Sequence, residues 1–573
     1  MDRPHWGFAI AGVAVLVASC TALLRAVYAE AWIGEDAFIT FRTIDNFVRG
    51  HGLRWNIDER VQTYTHPLWL FLNLPLYSHI RDIPWTSTIV SLICTTGAFL
   101  TAASRYWRRP FVIAFGLYVP LMYSVAFLKY STSGFENSLS HFCFAGFAVV
   151  FFRALDREEI PWGGLAFLGA LGVTNRMDTV LLYAPPLAVL LLLHLRTARW
   201  GRFLLGLSPI FGWLIFSTLY YGFPYPNTGP AKLNTGIPDH VLFHRGVQYA
   251  LHQIRQDPVG SVMILTGAAI ALGRLAQAVF GSDRRRSLGL ASIGVGSFAY
   301  AYYVVSIGGA WNAGRHWTLP IFVSTLLFAE QLATVSREGR HLAFGSLRTQ
   351  LPQLVKAPAV WIAAFSLALG AGYVADRRPS LPYKQPHMRW TPHSYKYLGK
   401  NGKWQMSREA KKFNGVGRGL RKRKIAAYPA AGIAGIAAGR TIIIDAYALT
   451  DPLLARLPAK KRFGGGWGAT DHYERALPIG YIHARRTGSL ERMSEHLAAY
   501  YEPLRRIITE PVFDAGRLAT LLAFNYGSYD HHRAAYLAEP PPRPSKKTSD
   551  SRDGSPRPPT RQRARAAPER RGG

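Results

Sequence analysis

Residues 7–28 read GFAIAGVAVLVASCTALLRAVY, an apolar run interrupted only by Arg25. About 20 apolar residues in a helix are enough to cross the hydrocarbon core of a bilayer. A cleaved signal peptide has a shorter core and a small-residue cleavage site, so the sequence predicts an uncleaved first span. Further apolar segments predict about eleven spans in all; they lie at roughly 86–103, 110–128, 137–152, 163–173, 179–196, 203–220, 260–280, 288–306, 316–334 and 358–375.

The composition agrees with a polytopic membrane protein. Charged residues make up 18% of the chain, against about 25% in an ordinary soluble domain. The 67 Lys and Arg outnumber the 34 Asp and Glu, for a net charge of +33. A basic excess is typical of proteins that bind nucleic acid, anionic lipid or an anionic substrate. The apolar spans favour membrane lipid and predict no nucleic-acid partner.

Arginine-rich loops predict the orientation of the spans. With a cytoplasmic N-terminus, the loops SRYWRRP (104–110), RALDREEIPW (153–162), RTARWGR (196–202), GSDRRRS (281–287) and SREGRHLAF (336–344) fall on the cytoplasmic side, as the positive-inside rule requires. The opposite side receives GEDAFITFR (34–42), KYSTSGFEN (129–137), TNRMD (174–178), YGFPYPNTGPAKLNTG (221–236) and GGAWNAGRHW (308–317). We therefore expect the motif-like loops to meet at one extracytoplasmic face.

Three domains are predicted along the chain. Residues 1–376 form a mainly α transmembrane domain, and residues 377–538 form an extracytoplasmic soluble α/β domain. The second contains a strand-like TIIID (441–445) and an amphipathic helix around 489–510. Residues 539–573 are rich in Pro and Arg, lack apolar anchors and are predicted to be a disordered basic tail.

Two patterns in the sequence resemble ligand sites but lack the spacing that a nucleotide or metal site needs. GIAGIAAG (432–439) lacks the G-x-G-x-x-G spacing of a nucleotide-binding loop. His51, His66 and His79 lack metal-site spacing and are predicted to lie at the membrane interface, as is the helix at 66–80. No metal site is therefore predicted, and the sequence requires no cofactor, although a divalent cation remains compatible with it.

Glu35 and Asp36 are the strongest catalytic candidates because they lie just beyond the first span. Ionisable residues beside the bilayer core are costly, so such a pair suggests a task. Asp36 would act as a general base on an acceptor hydroxyl, assisted by Glu35. The alternative is a structural one, in which Asp36 caps the helix that begins at AFITFR.

The other loops that face the same compartment supply candidates for substrate binding. Converging cations suit a lipid phosphate, and an arginine is able to bind it with two hydrogen bonds. Each of these residues also has an ordinary interpretation as a helix-end charge, a salt-bridge partner or an interface anchor. The candidates are Glu136, Arg176, Asp178, Lys232, Arg315 and His316.

The order of the motifs resembles the membrane arabinofuranosyltransferases of the mycobacterial cell wall, above all the terminal β-(1→2) branch, which have the type C glycosyltransferase (GT-C) fold. The likeness covers about residues 30–485 and includes IIIDAYALTDPLLA (442–455) and DHYERALPIGYI (471–482). In the membrane part it rests on GEDAFITFR, NIDERVQTYTHPLW, STSGFENSL, NRMD, YYGFPYPNTGPAKLNTG and GGAWNAGRHW.

This resemblance implies roles for individual residues. Asp36 matches the family's catalytic acid and Glu35 its partner, Glu136 the acid of an S-G-x-E-N loop, Lys232 a lysine after a Pro-rich loop, and Arg315 the arginine of a G-G-D-x-x-x-x-R loop. Two motifs depart from the family. Ala310 stands where the family usually has Asp, and NRMD, with Arg176 and Asp178, replaces R-P-E. These departures bear on which donor and acceptor are used more than on the class of reaction.

The implied activity is an inverting transfer of a sugar, most plainly arabinofuranose, from a polyprenyl-phosphate donor to an envelope glycan acceptor at the plasma membrane. A phosphate leaves without protonation, so one carboxylate at the reacting centre suffices. The alternatives are a lipid-linked glycan flippase or transporter, a GT-C transferase of another sugar, and a scaffold whose soluble domain binds a polysaccharide. A transporter would be expected to show paired repeats with broken helices at mid-membrane, and the two halves show no evident repeat.

Overall fold

The computed structural model describes residues 6–157, 159–281, 283–310, 312–341, 396–399, 401–429, 431–461 and 472–540. The described chain is mainly helical, as the sequence predicts. The helices of the first 341 residues are α1 (Trp6–Ala29), α2 (Ala37–Val48), α3 (Pro67–Ile80), α4 (Ile83–Ser104), α5 (Val119–Tyr123), α6 (Val125–Tyr130), α7 (Asn137–Leu155), α8 (Trp162–Asn175), α9 (Val180–Leu193), α10 (Trp200–Gly206), α11 (Ser208–Tyr221), α12 (Thr228–Leu233), α13 (Asp239–Gln256), α14 (Pro258–Phe280), α15 (Arg284–Ser306) and α16 (Thr318–His341).

Several of these helices have the length and composition of membrane spans. Six qualify among the described residues, and the pair α10 and α11, bent by 48°, makes a seventh if it is one broken span. The six are Ile10–Ala29, Ile83–Ser104, Asn137–Leu155, Pro258–Phe280, Arg284–Ser306 and Arg315–Val335. The predicted total of eleven is not confirmed, and the predicted span at 358–375 lies outside the described residues.

The remaining apolar segments differ from the prediction for identifiable physical reasons. The segment predicted as one span at 110–128 is a π-helical stretch (Val112–Tyr118) followed by α5 and α6. Pro120 lacks an amide hydrogen, and Ser124 adopts an extended conformation that separates the two short helices. Helices α8 and α9 have 14 residues each, or roughly 21 Å, which is shorter than the bilayer core of about 30 Å.

One end of the helical bundle carries an ion-pair network. Arg105 Nε lies 2.6 Å from Glu330 Oε2, and its Nη2 lies 2.7 Å from Asp156 Oδ2. Arg286 also contacts both carboxylates. Three of these residues belong to loops 104–110 and 153–162 and to the start of α15, so segments predicted to share one side of the membrane do meet at one end.

The chain after residue 396 adds helices and short strands. The helices are α17 (Arg408–Leu420), α18 (Ile433–Ala438), α19 (Tyr481–Thr487), α20 (Glu495–Thr509), α21 (Ala515–Asn525) and α22 (Asp530–Ala538). The strands are β1 (Trp32–Ile33), β2 (Lys396–Leu398), β3 (Trp404–Met406), β4 (Ile425–Ala427) and β5 (Ile442–Ile444). The predicted strand at 441–445 and helix at 489–510 are confirmed as β5 and α20. The wider assignment of 377–538 as a soluble α/β domain stays a prediction, and the predicted tail lies almost entirely outside the described residues.

The C-terminal segment packs on the loops at the other end of the bundle. Strand β1, just after α1, pairs antiparallel with β2, which pairs with β3, whereas β4 and β5 form a separate parallel pair. Trp55 and Phe223 share a hydrophobic core with Ile443 and Tyr481. Asn227 Nδ2 donates to the carbonyls of Ala448, Leu449 and Asp451 at 3.0–3.1 Å. Loops from the first half of the chain are therefore fixed by residues from its last third.

Candidate functional site

The loops predicted to face one compartment meet around Glu136, which directly precedes α7. Glu136 is 1% exposed. Its carboxylate lies 2.6 Å from Arg176 Nη1, 3.0 Å from Arg315 Nη2 and 3.1 Å from His66 Nδ1. Burial alone would raise the pKa of Glu136, but Arg315, His66 and Arg176 together hold it well below its usual range. Glu136 is therefore ionised, and it joins four separate chain segments.

Arg176 is held between two carboxylates. Besides its contact with Glu136, its Nε and Nη2 donate to Asp178 at 2.7–3.0 Å. This is the Arg176–Asp178 salt bridge that the sequence left open as an alternative to a substrate contact. Most N–H groups of the Arg176 guanidinium are used within the protein, so Arg176 and Asp178 fix the position of their loop against Glu136.

One N–H group of Arg315 makes no hydrogen bond to the described residues. Its guanidinium carbon lies 3.7 Å from the ring centroid of Phe135, and its Nη2 contacts Glu136. Its Nε is buried without a hydrogen-bond partner within the described structure. A buried donor left unpaired is costly in a finished fold and is expected where a ligand supplies the acceptor. Arg315 thus combines a fixed position with a donor that no described residue pairs.

The glycine-rich loop before Arg315 positions this residue beside Glu136. Gly309 has φ +70°, and a Cβ at that position would lie 2.5 Å from the ring of Tyr249. The Tyr249 hydroxyl donates a hydrogen bond to the carbonyl of Asn312 and accepts one from the backbone amide of His316. His316 is buried beside this tyrosine, so it helps to shape the loop.

Asp36 lies at the start of α2 but does not cap it. Its backbone is helical, and its carboxylate makes no cap hydrogen bond to the helix. The side chain is 17% exposed, and its Oδ1 lies 3.5 Å from Nε2 of His472. The helix-cap alternative therefore finds no support in the geometry.

The electrostatic surroundings of Asp36 are strongly positive. Burial would raise the pKa of Asp36, but the nearby charges of His472, Lys232 and Arg315 outweigh it and lower the pKa below its ordinary value. Asp36 is thus ionised at neutral pH, and the charges that keep it so include Lys232 and Arg315, two of the predicted substrate-binding residues. Lys232, on α12, is partly exposed at this site.

Glu35 has different contacts from its neighbour. Its Oε1 accepts the backbone amide of Ile433, the first residue of α18, at 3.0 Å. A Cβ on Gly432 would lie 2.6 Å from this oxygen, so the close approach requires glycine. Burial, and then the charge of Asp36, raise the pKa of Glu35. Glu35 therefore binds the C-terminal segment, and its predicted role as a catalytic partner stays untested.

Two histidines in this region were not predicted as site residues. His66 was predicted to lie at the membrane interface, and its position relative to the bilayer stays a prediction. Within the protein it is buried between Glu136 and Thr40, whose hydroxyl lies 2.8 Å from its Nε2. His472 comes from the C-terminal segment and also packs edge-on against the ring of Tyr447. The only sequence signal for His472 was its place in the DHYERALPIGYI motif.

The described residues contain no group of three or more His, Cys, Asp or Glu side chains able to hold a metal ion. Whether the reaction uses a divalent cation is not tested by this geometry and stays a prediction.

Known proteins resemble the chain over part of its length. No protein-family model matches the chain. A terminal β-(1→2)-arabinofuranosyltransferase of Corynebacterium glutamicum is 24% identical over 358 residues, which cover 55% of this chain and 50% of that protein. The enzyme of the same name from Mycobacterium tuberculosis is 28% identical over 224 residues, 35% of each protein. This chain is a distant relative of these enzymes. The chain spans about half the length of the first relative and about a third of the second.

Proposed function

We propose that this protein is a membrane glycosyltransferase that uses a polyprenyl-phosphate sugar, with Asp36 as its catalytic base. The main support for this proposal is the set of groups that surround the Asp36 carboxylate. This carboxylate is free of any helix-cap bond, adjoins His472 and lies within the electrostatic influence of Lys232 and Arg315. An anionic base beside two cations is the arrangement that a transfer from a sugar phosphate needs.

The proposed reaction is a single displacement at the anomeric carbon. The bond from the acceptor oxygen to this carbon forms as the bond to the donor phosphate breaks, and Asp36 takes the hydroxyl proton. The departing phosphate keeps the bonding electron pair, and Lys232 and Arg315 stabilise its charge. Glu136 keeps Arg315 in place, and the spare Nε–H of Arg315 suits a phosphate oxygen.

Donor binding would also adjust the strength of the base. In the free protein the nearby cations lower the pKa of Asp36, which keeps it ionised but makes it a weak proton acceptor. A bound phosphate would neutralise part of the charge of Lys232 and Arg315. The pKa of Asp36 would then rise towards its ordinary value, so the base becomes stronger once the donor is in place.

The finer assignment follows from the relatives and the sequence. Since both relatives are named arabinofuranosyltransferases, the proposed sugar is arabinofuranose, with inversion at its anomeric carbon. The proposed acceptor is an envelope glycan. We further propose a GT-C fold with eleven spans in the plasma membrane, with the site and the C-terminal domain outside the cytoplasm.

A transfer assay tests the proposal. Purified protein is incubated with labelled polyprenyl-phosphoryl arabinose and a short arabinan acceptor, and the elongated product is measured beside thermal stability in detergent. Asp36→Asn keeps the shape but cannot take a proton, so turnover should fall about 10²–10⁴-fold. The variant should still fold, since no cap bond is lost, but it should be less stable than the wild type, because the charge that interacts with His472, Lys232 and Arg315 is removed.

Asp45→Asn is the matched control, since Asp45 is an acid on the same helix whose partners are Arg49, Arg81 and Tyr77. Turnover of this control should stay near normal. Near-normal turnover of Asp36→Asn would overturn the assignment of the base. Movement of the donor across vesicles without product formation would instead support a flippase.

A further inference from the structure

A second polar feature lies at the opposite end of α7 from Glu136. It is a cavity of about 810 Å³ between the end of α7, the start of α8 and the connection from α9 to α10. Helix α7 has 19 residues, so this cavity lies about 28 Å from the proposed catalytic site. It is therefore distinct from the site that would bind the sugar donor.

The cavity lining is strongly basic. Arg153, Arg157, Arg199 and Arg202 all line it. Among the described lining residues the one acid is Glu159, whose side chain is 92% exposed and lies 3.8 Å from Arg199. The described structure gives the other three arginines no ion-pair partner. Four guanidinium groups around a concave space favour an anion with several oxygen atoms.

A buried polar atom in the same lining also lacks a partner. The Nε2 atom of His194 is buried and makes no hydrogen bond to the described residues, while its ring packs edge-on against Trp162. Both residues line the cavity. Trp162 and His194 therefore form an aromatic wall beside the arginines.

The surface beside the cavity is apolar and exposed. It comprises the end of α9 and most of α10, with Leu192, Leu195, Trp200, Leu204 and Leu205 all exposed. Exposed leucines on helices that contact a bilayer suit acyl chains, and a tryptophan suits the headgroup boundary. A soluble anion would use the arginines alone, whereas an anionic lipid would use both surfaces.

We propose that this cavity binds the phosphate-bearing headgroup of an anionic membrane phospholipid, whose acyl chains lie along the exposed leucines of α9 and α10. The arginines contact the phosphate, and Trp162 and Trp200 lie near the glycerol region. The lipid is a structural partner of the bundle and is separate from the sugar donor.

Lipid binding by the full chain tests this proposal. The protein is reconstituted in phosphatidylcholine nanodiscs with increasing phosphatidylglycerol, and bound phosphatidylglycerol is counted by native mass spectrometry. The double variant Arg199→Gln/Arg202→Gln should weaken this binding roughly thirtyfold, at about fivefold for each arginine near the membrane surface. A Lys pair at the same positions should keep most of the binding. The matched control is Arg108→Gln/Arg284→Gln, two exposed arginines of neighbouring loops outside the cavity lining, which should bind normally.

Two competitors identify the source of the phosphate. Glycerol phosphate should not displace phosphatidylglycerol at similar concentrations, because it lacks acyl chains. Equal displacement by glycerol phosphate would identify a free-anion site, and preferential displacement by polyprenyl phosphate would assign the cavity to the donor. Either result would overturn the proposal, as would unchanged binding in the double variant or equal loss in the control.

Discussion

Glu35 and Arg42 form hydrogen bonds to opposite ends of the same short helix, α18. Glu35 accepts the amide of Ile433 at the N-terminal end. Arg42 donates to the carbonyls of Gly435, Gly439 and Thr441 at 2.8–3.2 Å around the C-terminal end. These bonds satisfy amide and carbonyl groups that the ends of a helix leave without partners. The segment that carries Asp36 is thus attached to the C-terminal segment on both sides of Asp36.

This arrangement predicts a large effect of Arg42→Gln on stability. Arg42 is buried against Trp55, with its guanidinium carbon 4.2 Å from the ring centroid, and the substitution leaves several carbonyls unpaired. We expect a loss of roughly 3 kcal/mol in the free energy of unfolding, measured by thermal denaturation in detergent. Arg49→Gln, at the position just after the same helix, is the control, because Arg49 is exposed and its ion pair within the described structure is with Asp45; the substitution should cost about 0.5 kcal/mol or less. Equal effects would mean that the contacts with α18 contribute little.

The raised pKa of Glu35 should make the stability of the protein depend on pH. This pKa is raised in the folded protein, so the folded state holds the proton more tightly than the unfolded state does. The stabilisation is complete below the ordinary pKa of a glutamate and decreases as pH rises through the raised pKa. In Glu35→Gln this decrease should be smaller, as seen in melting temperatures from acidic to alkaline pH. A slope identical to that of the wild type would show that Glu35 does not titrate in this range.

Replacing His472 should change how the rate of transfer depends on pH. The proximity of His472 lowers the pKa of Asp36, so His472→Gln should raise that pKa by about one unit or more. Below this pKa the base is protonated and inactive, so the acidic limb of kcat/KM should move to higher pH. His496→Gln, an exposed histidine of the same segment, should leave the limb unchanged. A merely structural role for His472 would lower the rate at every pH without moving the limb.

Replacing Lys232 should impair the use of the proposed donor. If Lys232 contacts the donor phosphate as proposed, removing it should raise KM for polyprenyl-phosphoryl arabinose about tenfold or more, since a charge-assisted hydrogen bond contributes about 1.5–3 kcal/mol. Lys232→Ala should show this effect in the transfer assay, whereas Lys403→Ala, on an exposed turn, should not. Unchanged donor kinetics in Lys232→Ala would remove this lysine from the proposed site.

The orientation in the membrane can be tested with single cysteines. All three native cysteines are buried, so they need not be removed. Asn234 lies at the Lys232 end and Arg284 at the arginine-rich end, and both are exposed. In intact cells a membrane-impermeant thiol reagent should label Asn234→Cys and should not label Arg284→Cys. The reverse pattern would invert the proposed topology.

Much of the candidate site was predictable because its residues share one side of the bundle. The alternation of spans and the arginine-rich loops predicted that Asp36, Glu136, Lys232 and Arg315 lie in loops at the same end, and the structure gathers their charges there. Such an argument needs only the direction of each span. It does not need the packing of individual side chains.

The parts that escaped prediction depend on tertiary contacts. His66 looks like an interfacial histidine in its local sequence, and only the fold brings it against Glu136. Glu35 and Asp36 are adjacent, yet their carboxylates have different partners because α18 meets one and His472 the other. The interruption at Ser124 likewise involves its hydroxyl bond to Asp257, which is distant in sequence.

The pairing of Asp36 with His472 has a consequence for biogenesis. Asp36 and Lys232 belong to the first half of the chain and are synthesised well before His472. The basic environment of Asp36 is complete only after the last third of the chain has emerged and folded onto them. If Asp36 is the catalytic base, a nascent or C-terminally truncated chain should therefore not transfer sugar from the proposed donor, and the donor would be used only after synthesis of the chain is complete.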